Sequence, residues 1–449
     1  MPLDPVGPLW HDRAVPRNQR SVLLDISPFR ASKHFTWMWF GALVTGIGNS
    51  LTAVAVGLHV YALTHSTFAV SLVGVVALVP TVIAGLYGGT IVDRHDRRRV
   101  ALLAACLAWA STAAIAALSW AGMETVWTLY LLSALNTVGA SLISAARNAI
   151  IPNLIPAETL PAAGALNGIS MGLVITVGPS LAGLLVGRWG FSWAYTLDLL
   201  LFCGAFLGLA ALPALPPRGT VHDDTWGAIK ESFAFVRGNR VVAMSFAVDL
   251  VAMTFGNPRS LYPALGAVVI GGGAMTAGLL ASSQAVGALV CGLFSGRVVH
   301  WRRHGRAVNW SVALYGLFCV GLGLVVWSVH VGRWPGGVGT LQEVNSSAMV
   351  AAMVMLAGMG ASDNVSSIFR NTILAEAVPD SLRGRMQGIF IMVVTGGPRL
   401  GDAFVGVVAL AAVWAPSLLG GLAICVLVGV LARLVPDFHC YAAGPVSSD

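Results

Sequence analysis

Four aspartates stand inside long apolar runs of this chain: Asp198, Asp249, Asp363 and Asp402. A carboxylate at the centre of a bilayer costs about 2.5–3.5 kcal/mol or more, so an acid in such a run marks a functional position by default. The chemistry it offers is uptake and release of a proton, and one charge crossing 100 mV gains about 2.3 kcal/mol. Asp363, Ser367 and Arg370 fall at i, i+4 and i+7, which makes one polar stripe on a helix. Two readings stay open for Asp363: proton coupling or substrate contact, and a structural bridge to Arg370. Asp249, inside another apolar run, is likewise a candidate for coupling or substrate contact, with a plain structural role as the alternative. Arg399 and Asp402 share a helix face at i, i+3, which predicts an internal salt bridge. The functional alternative there is a gate or a contact for an anionic substrate.

A second group is a loop between two apolar runs, Gly89-Thr-Ile-Val-Asp93-Arg94-His95-Asp96-Arg97-Arg98, followed by Arg99. One acid, Asp93, ends the first run. A carboxylate beside a helix N-terminus is stabilised by about 0.3–1 kcal/mol, so Asp93 suits a clamp on the start of another helix near Arg385-Met386. The plain alternative is a tight turn whose arginines set topology. A third group is Gly178-Pro179-Ser-Leu-Ala-Gly183, where Pro179 bends a helix and small residues permit close packing.

Other chemistries are missing from the sequence. It has no G-x-x-x-x-G-K-[ST] phosphate loop, so a gradient rather than ATP must drive any uphill step. The six cysteines show no CxxC spacing, so neither a metal site nor a disulfide framework is indicated. No hydrolase or oxidoreductase constellation is present, and neither an enzyme nor a cofactor is expected.

The elements that must hold these residues follow from composition. The chain has 449 residues, 56% apolar and 10% charged. A soluble protein of this size carries about a quarter charged residues. Apolar runs of about 20 residues are what a bilayer crossing needs, and hydropathy places helices at 35–61, 68–92, 100–121, 126–146, 164–187, 192–212, 241–262, 276–298, 307–329, 347–369, 386–411 and 415–435. The net charge of +7 says little about nucleic acid, because basic residues collect in the cytoplasmic loops of membrane proteins. All but four of the 26 Lys and Arg fall on one side of this arrangement. Arg188, Arg259 and Arg333 fall on the other, and Arg399 lies within a helix. Both termini are therefore expected in the cytoplasm, and the polar N-terminal stretch lacks the pattern of a cleavable signal. The expected divisions are a tail at 1–34, a six-helix bundle at 35–212, a linker at 213–240, a second bundle at 241–437 and a tail at 438–449. Within the linker, Trp226, Ile229, Phe233 and Val236 recur at helical spacing, which suits an amphipathic helix on the membrane face or a solvated linker helix.

The two halves repeat. Gly48-Asn49 returns as Gly256-Asn257, Arg147-Asn148 with Pro156 as Arg370-Asn371 with Pro379, and Gly178-Pro179 as Gly397-Pro398, in order. Internal repeats in a many-span protein point to a transporter with its site between the halves near mid-membrane. Asp363 aligns with Ala140 and Asp249 with Gly41, so these two acids are specific to the second half. The first helix lacks an acid and offers Asn49 and His59 in its place. Asn49 joins the candidates for coupling or substrate contact, and His59 is expected to be interfacial.

The loop after Gly89 resembles the signature loop between the second and third helices of the major facilitator superfamily, with Asp96 where that pattern has glycine. Leu24-Asp25 with Phe29-Arg30, Thr64-His65-Ser66-Thr67, Leu261-Tyr262-Pro263-Ala264-Leu265 and Asp380-Ser381-Leu382-Arg383-Gly384-Arg385 resemble the drug:proton antiporter-3 branch, and within it the enterobactin-exporter group. The resemblance implies an all-α polytopic membrane protein of twelve transmembrane helices in two six-helix bundles. It implies export from the cytoplasm across the cell membrane, usually driven by protons, by a chain expected to be monomeric. It leaves a multidrug pump and a dedicated siderophore exporter both open, and a passive facilitator is the alternative of another class. It places the tenth and seventh helices, with Asp363 and Asp249, on the cavity. Asp198, on the peripheral sixth helix, becomes a structural hydrogen-bond partner near the outer surface. Gly89, Asp93, Arg94, Arg97, Arg98, Gly178 and Pro179 are its gating residues. The fourth helix lacks the mid-membrane arginine of related drug–proton antiporters.

Overall fold

The computed structural model describes residues 25–210, 212, 234–294, 301–335, 339, 343–378 and 380–441, without the side chains of 85, 86, 90, 93, 157, 380–392 and 395. Trp226, Ile229 and Phe233 of the linker, and the parts of the expected tails before 25 and beyond 441, fall outside these residues.

Among the described residues twelve long helices follow in succession: α1 (Lys33–Thr64), α2 (Thr67–Arg94), α3 (Arg97–Ala121), α4 (Val126–Leu154), α5 (Leu160–Trp189), α6 (Phe191–Ala210), α7 (Arg240–Phe255), α8 (Gly273–Leu293), α9 (His304–His330), α10 (Ser346–Ala377), α11 (Asp380–Ala409) and α12 (Ala415–Leu434). Eleven spans are long and apolar enough to cross a membrane on the described residues alone. Helix is the form that pairs every backbone group within its own segment where no water can. Polar residues set the ends. Ser32, Ser66, Asp96 and Asn239 each accept hydrogen bonds from backbone N–H groups of the helix that follows. Gly122 at φ 62° turns the chain out of α3 in the left-handed region that glycine adopts freely.

The seventh span departs from the expected 241–262. It stops as an α-helix at Phe255 and continues through a 3-10 turn at Arg259–Leu261, a short turn at Tyr262–Ala264 and a π-turn at Leu265–Val269. Pro258 and Pro263 lack the N–H groups that would continue the ladder. The freed polar groups find partners: Tyr315 Oη donates to the Gly256 carbonyl at 2.7 Å, and Asn257 Nδ2 to the Pro398 carbonyl at 2.9 Å.

Packing repeats with a shift of six helices. In the first half α1 packs on α6 and α5, α4 on α3 and α2, and α3 on α6. In the second half α7 packs on α12 and α11, α10 on α9 and α8, and α9 on α12. The halves meet along two seams, α2 with α11 and α5 with α8. On the second seam Gly183 and Gly278 bring the backbones together: a Cβ at Gly183 would stand 2.7 Å from the Ala274 carbonyl oxygen. Ser180 and Ser282 share a hydrogen bond of 2.7 Å across it, and Ser282 also donates to the Thr176 carbonyl.

The bundle has two unlike ends. One carries the basic loop at Arg94–Arg99 and is here the basic-loop end. At the opposite, far end the apolar core crosses between the halves. Val54, Leu58, Val186 and Phe191 join Leu261, Tyr262 and Leu265, while Ala264, Ala267 and Val413 join Val60, Leu129 and Tyr195. At the basic-loop end two separate apolar clusters form, one around Phe35, Val100, Ile150 and Phe202 and one around Val242, Phe246 and Val378. Among the described residues neither cluster crosses to the other half. Gly89 on α2 and Gly164 and Gly168 on α5 have nothing near the Cβ direction. Among the described residues, the apolar core joins the halves at the far end and not at the basic-loop end.

Candidate functional site

Between the halves, the second half presents two tiers of charge. The tier nearer the basic-loop end is built from α7 and α10. The Arg370 guanidinium pairs with Asp249 through Nη1 and Oδ1, and its Nη2 stands 3.7 Å from Asp363 Oδ1. Arg370 and Asp363 are seven residues apart, about 10 Å along one helix, and the long arginine side chain closes that gap. The charge partner of Asp249 stands on another helix. Both members of that pair are buried, whereas the Asp363 side chain is 31% exposed. The bridge expected between Asp363 and Arg370 is therefore the looser contact, and Asp249 is the direct counter-ion.

The second tier lies toward the far end, where the break in α7 meets α11. Asp402 is buried and accepts hydrogen bonds from Ser260 Oγ at 2.8 Å and Asn257 Nδ2 at 3.3 Å. The expected Arg399–Asp402 salt bridge is not formed. Their spacing places them on one face, but Asp402 turns to the polar groups that the α7 break exposes. Backbone at Gly74 of α2 lies against the Asp402 carboxylate, which puts this acid on the seam between the halves. Arg399 is half-buried and makes no ion pair or hydrogen bond among the described residues.

Arg259 is the charged seam residue that sequence reasoning placed elsewhere. Its position near the end of a helix read as 241–262 assigned it to the outer loops. Because the span runs on to Val269, Arg259 lies within it, exposed, on a turn packed against both α2 and α11. It stands within electrostatic reach of Asp363, Asp402 and Arg399. The signal that would have found it is Asn257-Pro258, which halts a helix early and lets an apolar run continue beyond.

The first half holds its polar residues differently. Asn49, the repeat of Asn257, is half-buried and makes no side-chain hydrogen bond among the described residues. Thr52, equivalent to Ser260 by the same repeat, donates to Asp198 Oδ2 at 2.6 Å. Thr112 extends the link at 3.5 Å, and Asn136 donates to Thr112 at 3.0 Å. Asp198 is thus a hydrogen-bonded partner tying α6 to α1 and α3, but it is wholly buried rather than near a surface. His59 is also buried rather than interfacial. It stacks on Phe191 and places Nδ1 3.1 Å from Tyr195 Oη and Nε2 3.2 Å from Glu124 Oε1.

Gly178 packs on Ser50 of α1, and the Pro179 carbonyl faces Gly278 across the α5–α8 seam, so this stretch builds the closed contact. In the basic loop, Asp96 caps α3 by accepting from the Arg98 and Arg99 N–H groups at 2.9 and 3.3 Å. Arg97 donates to the Ala149 carbonyl near the end of α4, and Arg98 to the Ala210 carbonyl at the end of α6. Cations at helix C-termini satisfy orphan carbonyls and complement the dipole. These arginines therefore staple three helices of one half. Arg94 is exposed. The side chains of Asp93, Arg385 and Met386, and with them the expected clamp, lie outside the described residues.

This arrangement of a cleft between two repeated bundles, with charge on one wall, suits binding and passage rather than bond-breaking. Among the described residues no group of His, Cys, Asp and Glu could hold a metal ion. Known proteins agree in kind. A family profile described as transmembrane secretion effector matches residues 24–332. The enterobactin exporters EntS of Salmonella choleraesuis and Salmonella typhimurium are each 27% identical over 394 residues, covering 87% of this chain and 89% of theirs. That of Citrobacter koseri is 26% identical over 389 residues, covering 87% and 88%. Among solved structures, a bacterial homologue of the iron transporter ferroportin, in an inward-facing state, superposes with a TM-score of 0.65 at 14% identity, covering 89% of this chain and 98% of that one. A D-xylose-proton symporter does so with 0.68 at 14%, covering 91% and 99%. At such identities these two structures speak to the fold alone, and the fold is the expected one.

Proposed function

The chain belongs to the transmembrane secretion effector family of the major facilitator superfamily, and on that premise we propose that it exports a medium-sized amphipathic molecule by alternating access, driven by protons. It is a multi-pass membrane protein with exporter relatives, and it is not an enzyme. The observation that carries the reading is unequal closure among the described residues, whose apolar core joins the halves at the far end and not at the basic-loop end. The positive-inside bias puts the basic-loop end and both termini in the cytoplasm, so the cleft opens to where an exported molecule is collected. Export then requires the Ser180–Ser282 seam to part while the cytoplasmic ends close, with Asp93 at a helix N-terminus favouring the closed form. One twelve-helix chain contains the whole cleft, so a monomer suffices. The relatives' names favour a siderophore of the enterobactin kind over a broad range of drugs.

Asp363 is the group proposed to carry the proton. It is the exposed member of its tier, and its carboxylate trades attraction to Arg370 for a proton without leaving the Arg370–Asp249 pair unmatched. Asp249 and Arg370 hold the tier's geometry, and Asp402 with Asn257 ties proton state to the α7 break. The test uses proteoliposomes with enterobactin as first probe. Asp363→Asn should abolish uphill transport under an imposed pH gradient yet retain counterflow exchange, because an amide keeps size and hydrogen bonding but does not titrate. Full uphill transport by this variant would remove Asp363 from coupling. Uphill transport by the native chain that ignores the gradient would remove protons altogether.

A further inference from the structure

The most unusual charges in this protein are the arginines of the far tier. An arginine within a span is costly unless it is paired or faces a polar passage. Arg370 meets that condition through Asp249. Arg259 and Arg399 do not: among the described residues neither guanidinium makes an ion pair or a hydrogen bond. The nearby acids are already engaged, Asp402 by Ser260 and Asn257 and Asp363 toward Arg370. The turn that carries Arg259 is held against α11 beside Arg399, because Asn257 donates to the Pro398 carbonyl and Ser260 to Asp402, and Asp402 attracts both guanidiniums without an ion pair to either. The fold holds Arg259 in place through the α7 break, where its own N–H is turned toward Asn257 Oδ1.

On the same α2–α11 seam runs an apolar groove of about 460 Å³, lined by Leu78, Val79, Val82 and Ile83 of α2, Leu250 of α7 and Leu400 of α11. Leu400 follows Arg399 directly. Pockets of about 300–1,000 Å³ with apolar walls and a few placed polar groups are what small ligands occupy. Guanidinium groups recognise carboxylates and similar anions with two parallel hydrogen bonds.

We propose that Arg259 and Arg399 form an anion-binding subsite in the cleft, which selects molecules that carry an acidic group on an apolar body. This rests on the exporter reading above and adds the charge of the cargo to it. The anion neutralises two like charges that the protein itself leaves without direct partners, and its apolar part lies along the groove.

The test measures binding without any gradient, so it is independent of export. Purified full-length protein in lipid nanodiscs is titrated with 2-naphthoate and with 2-naphthamide, which share shape and differ in charge. The native chain should bind the carboxylate at least tenfold more tightly than the amide. Arg259→Gln should erase that preference, Arg259→Lys should keep part of it, and Arg399→Gln should reduce it, with all variants monodisperse. Equal binding of the two probes to the native chain, or failure to bind either, would overturn the subsite. So would an unchanged preference in both glutamine variants. A failed subsite together with gradient-driven export would leave the exporter reading standing. A charge preference without any uphill transport would do the reverse.

Discussion

Replacing Asp249 by asparagine leaves the Arg370 guanidinium buried with only a contact of 3.7 Å to a partly exposed carboxylate. Breaking one side of a buried ion pair costs about 3–5 kcal/mol, because the remaining charge is left without compensation. The Asp363 contact offsets part of this, so Asp249→Asn is expected to cost about 2–4 kcal/mol. Arg370→Gln strands Asp249 in turn, at a similar cost. Asp363→Asn leaves the Asp249–Arg370 pair intact and removes only a partly solvated contact, worth under about 1 kcal/mol. The double variant Asp249→Asn with Arg370→Gln removes both charges together and should recover much of the loss. Residues in contact show coupling energies of about 0.5–3 kcal/mol, and this pair belongs at the upper end. The assay is unfolding in detergent micelles, followed by tryptophan fluorescence for the native chain, three single variants and the double. Additive costs, with coupling below about 0.5 kcal/mol, would refute the pairing. So would an Asp363→Asn variant as unstable as Asp249→Asn.

Three further outcomes follow from the same geometry. In a chain whose native cysteines are replaced, a cysteine at Met123 should react with an impermeant reagent from outside intact cells, and one at His95 or Arg302 only after permeabilisation; outside labelling at His95 would invert the orientation. Gly183→Leu should wedge the α5–α8 seam, since even a Cβ there meets the Ala274 carbonyl at 2.7 Å; spin labels across the far end should move apart, and unchanged distances would mean that the seam does not seal the bundle. Asp93→Asn should broaden the inter-half distances at the basic-loop end, whereas Asp96→Ala should cost about 1 kcal/mol of stability as a lost helix cap and leave those distances alone; identical effects of the two would reduce Asp93 to a local role.

Much of the architecture was legible because the bilayer imposes it locally. A span needs about 20 apolar residues, and the expected helices match the observed ones to within a few residues for most of the chain. The cap at Asp96 is equally local: an acid just before α3 accepts two N–H groups of its first turn. The repeat was visible too, and the packing order of α1–α6 returning in α7–α12 is its consequence in space.

Which charges meet was decided only by the tertiary structure. Spacing along one helix pairs Arg399 with Asp402 and Asp363 with Arg370. The folded chain gives Asp402 to Ser260 and Asn257 of α7, and gives Arg370 first to Asp249 of α7. His59 and Asp198 likewise find their partners on other elements, out of reach of any periodicity argument. The reason is that a side chain's partner depends on how each helix is rotated against its neighbour. That rotation is set by close backbone contacts such as Gly183 on Gly278 and by the break after Phe255, which carries Arg259 from an expected loop into the seam. Hydropathy along the sequence determines that a residue is in the membrane; packing between helices determines what it faces there.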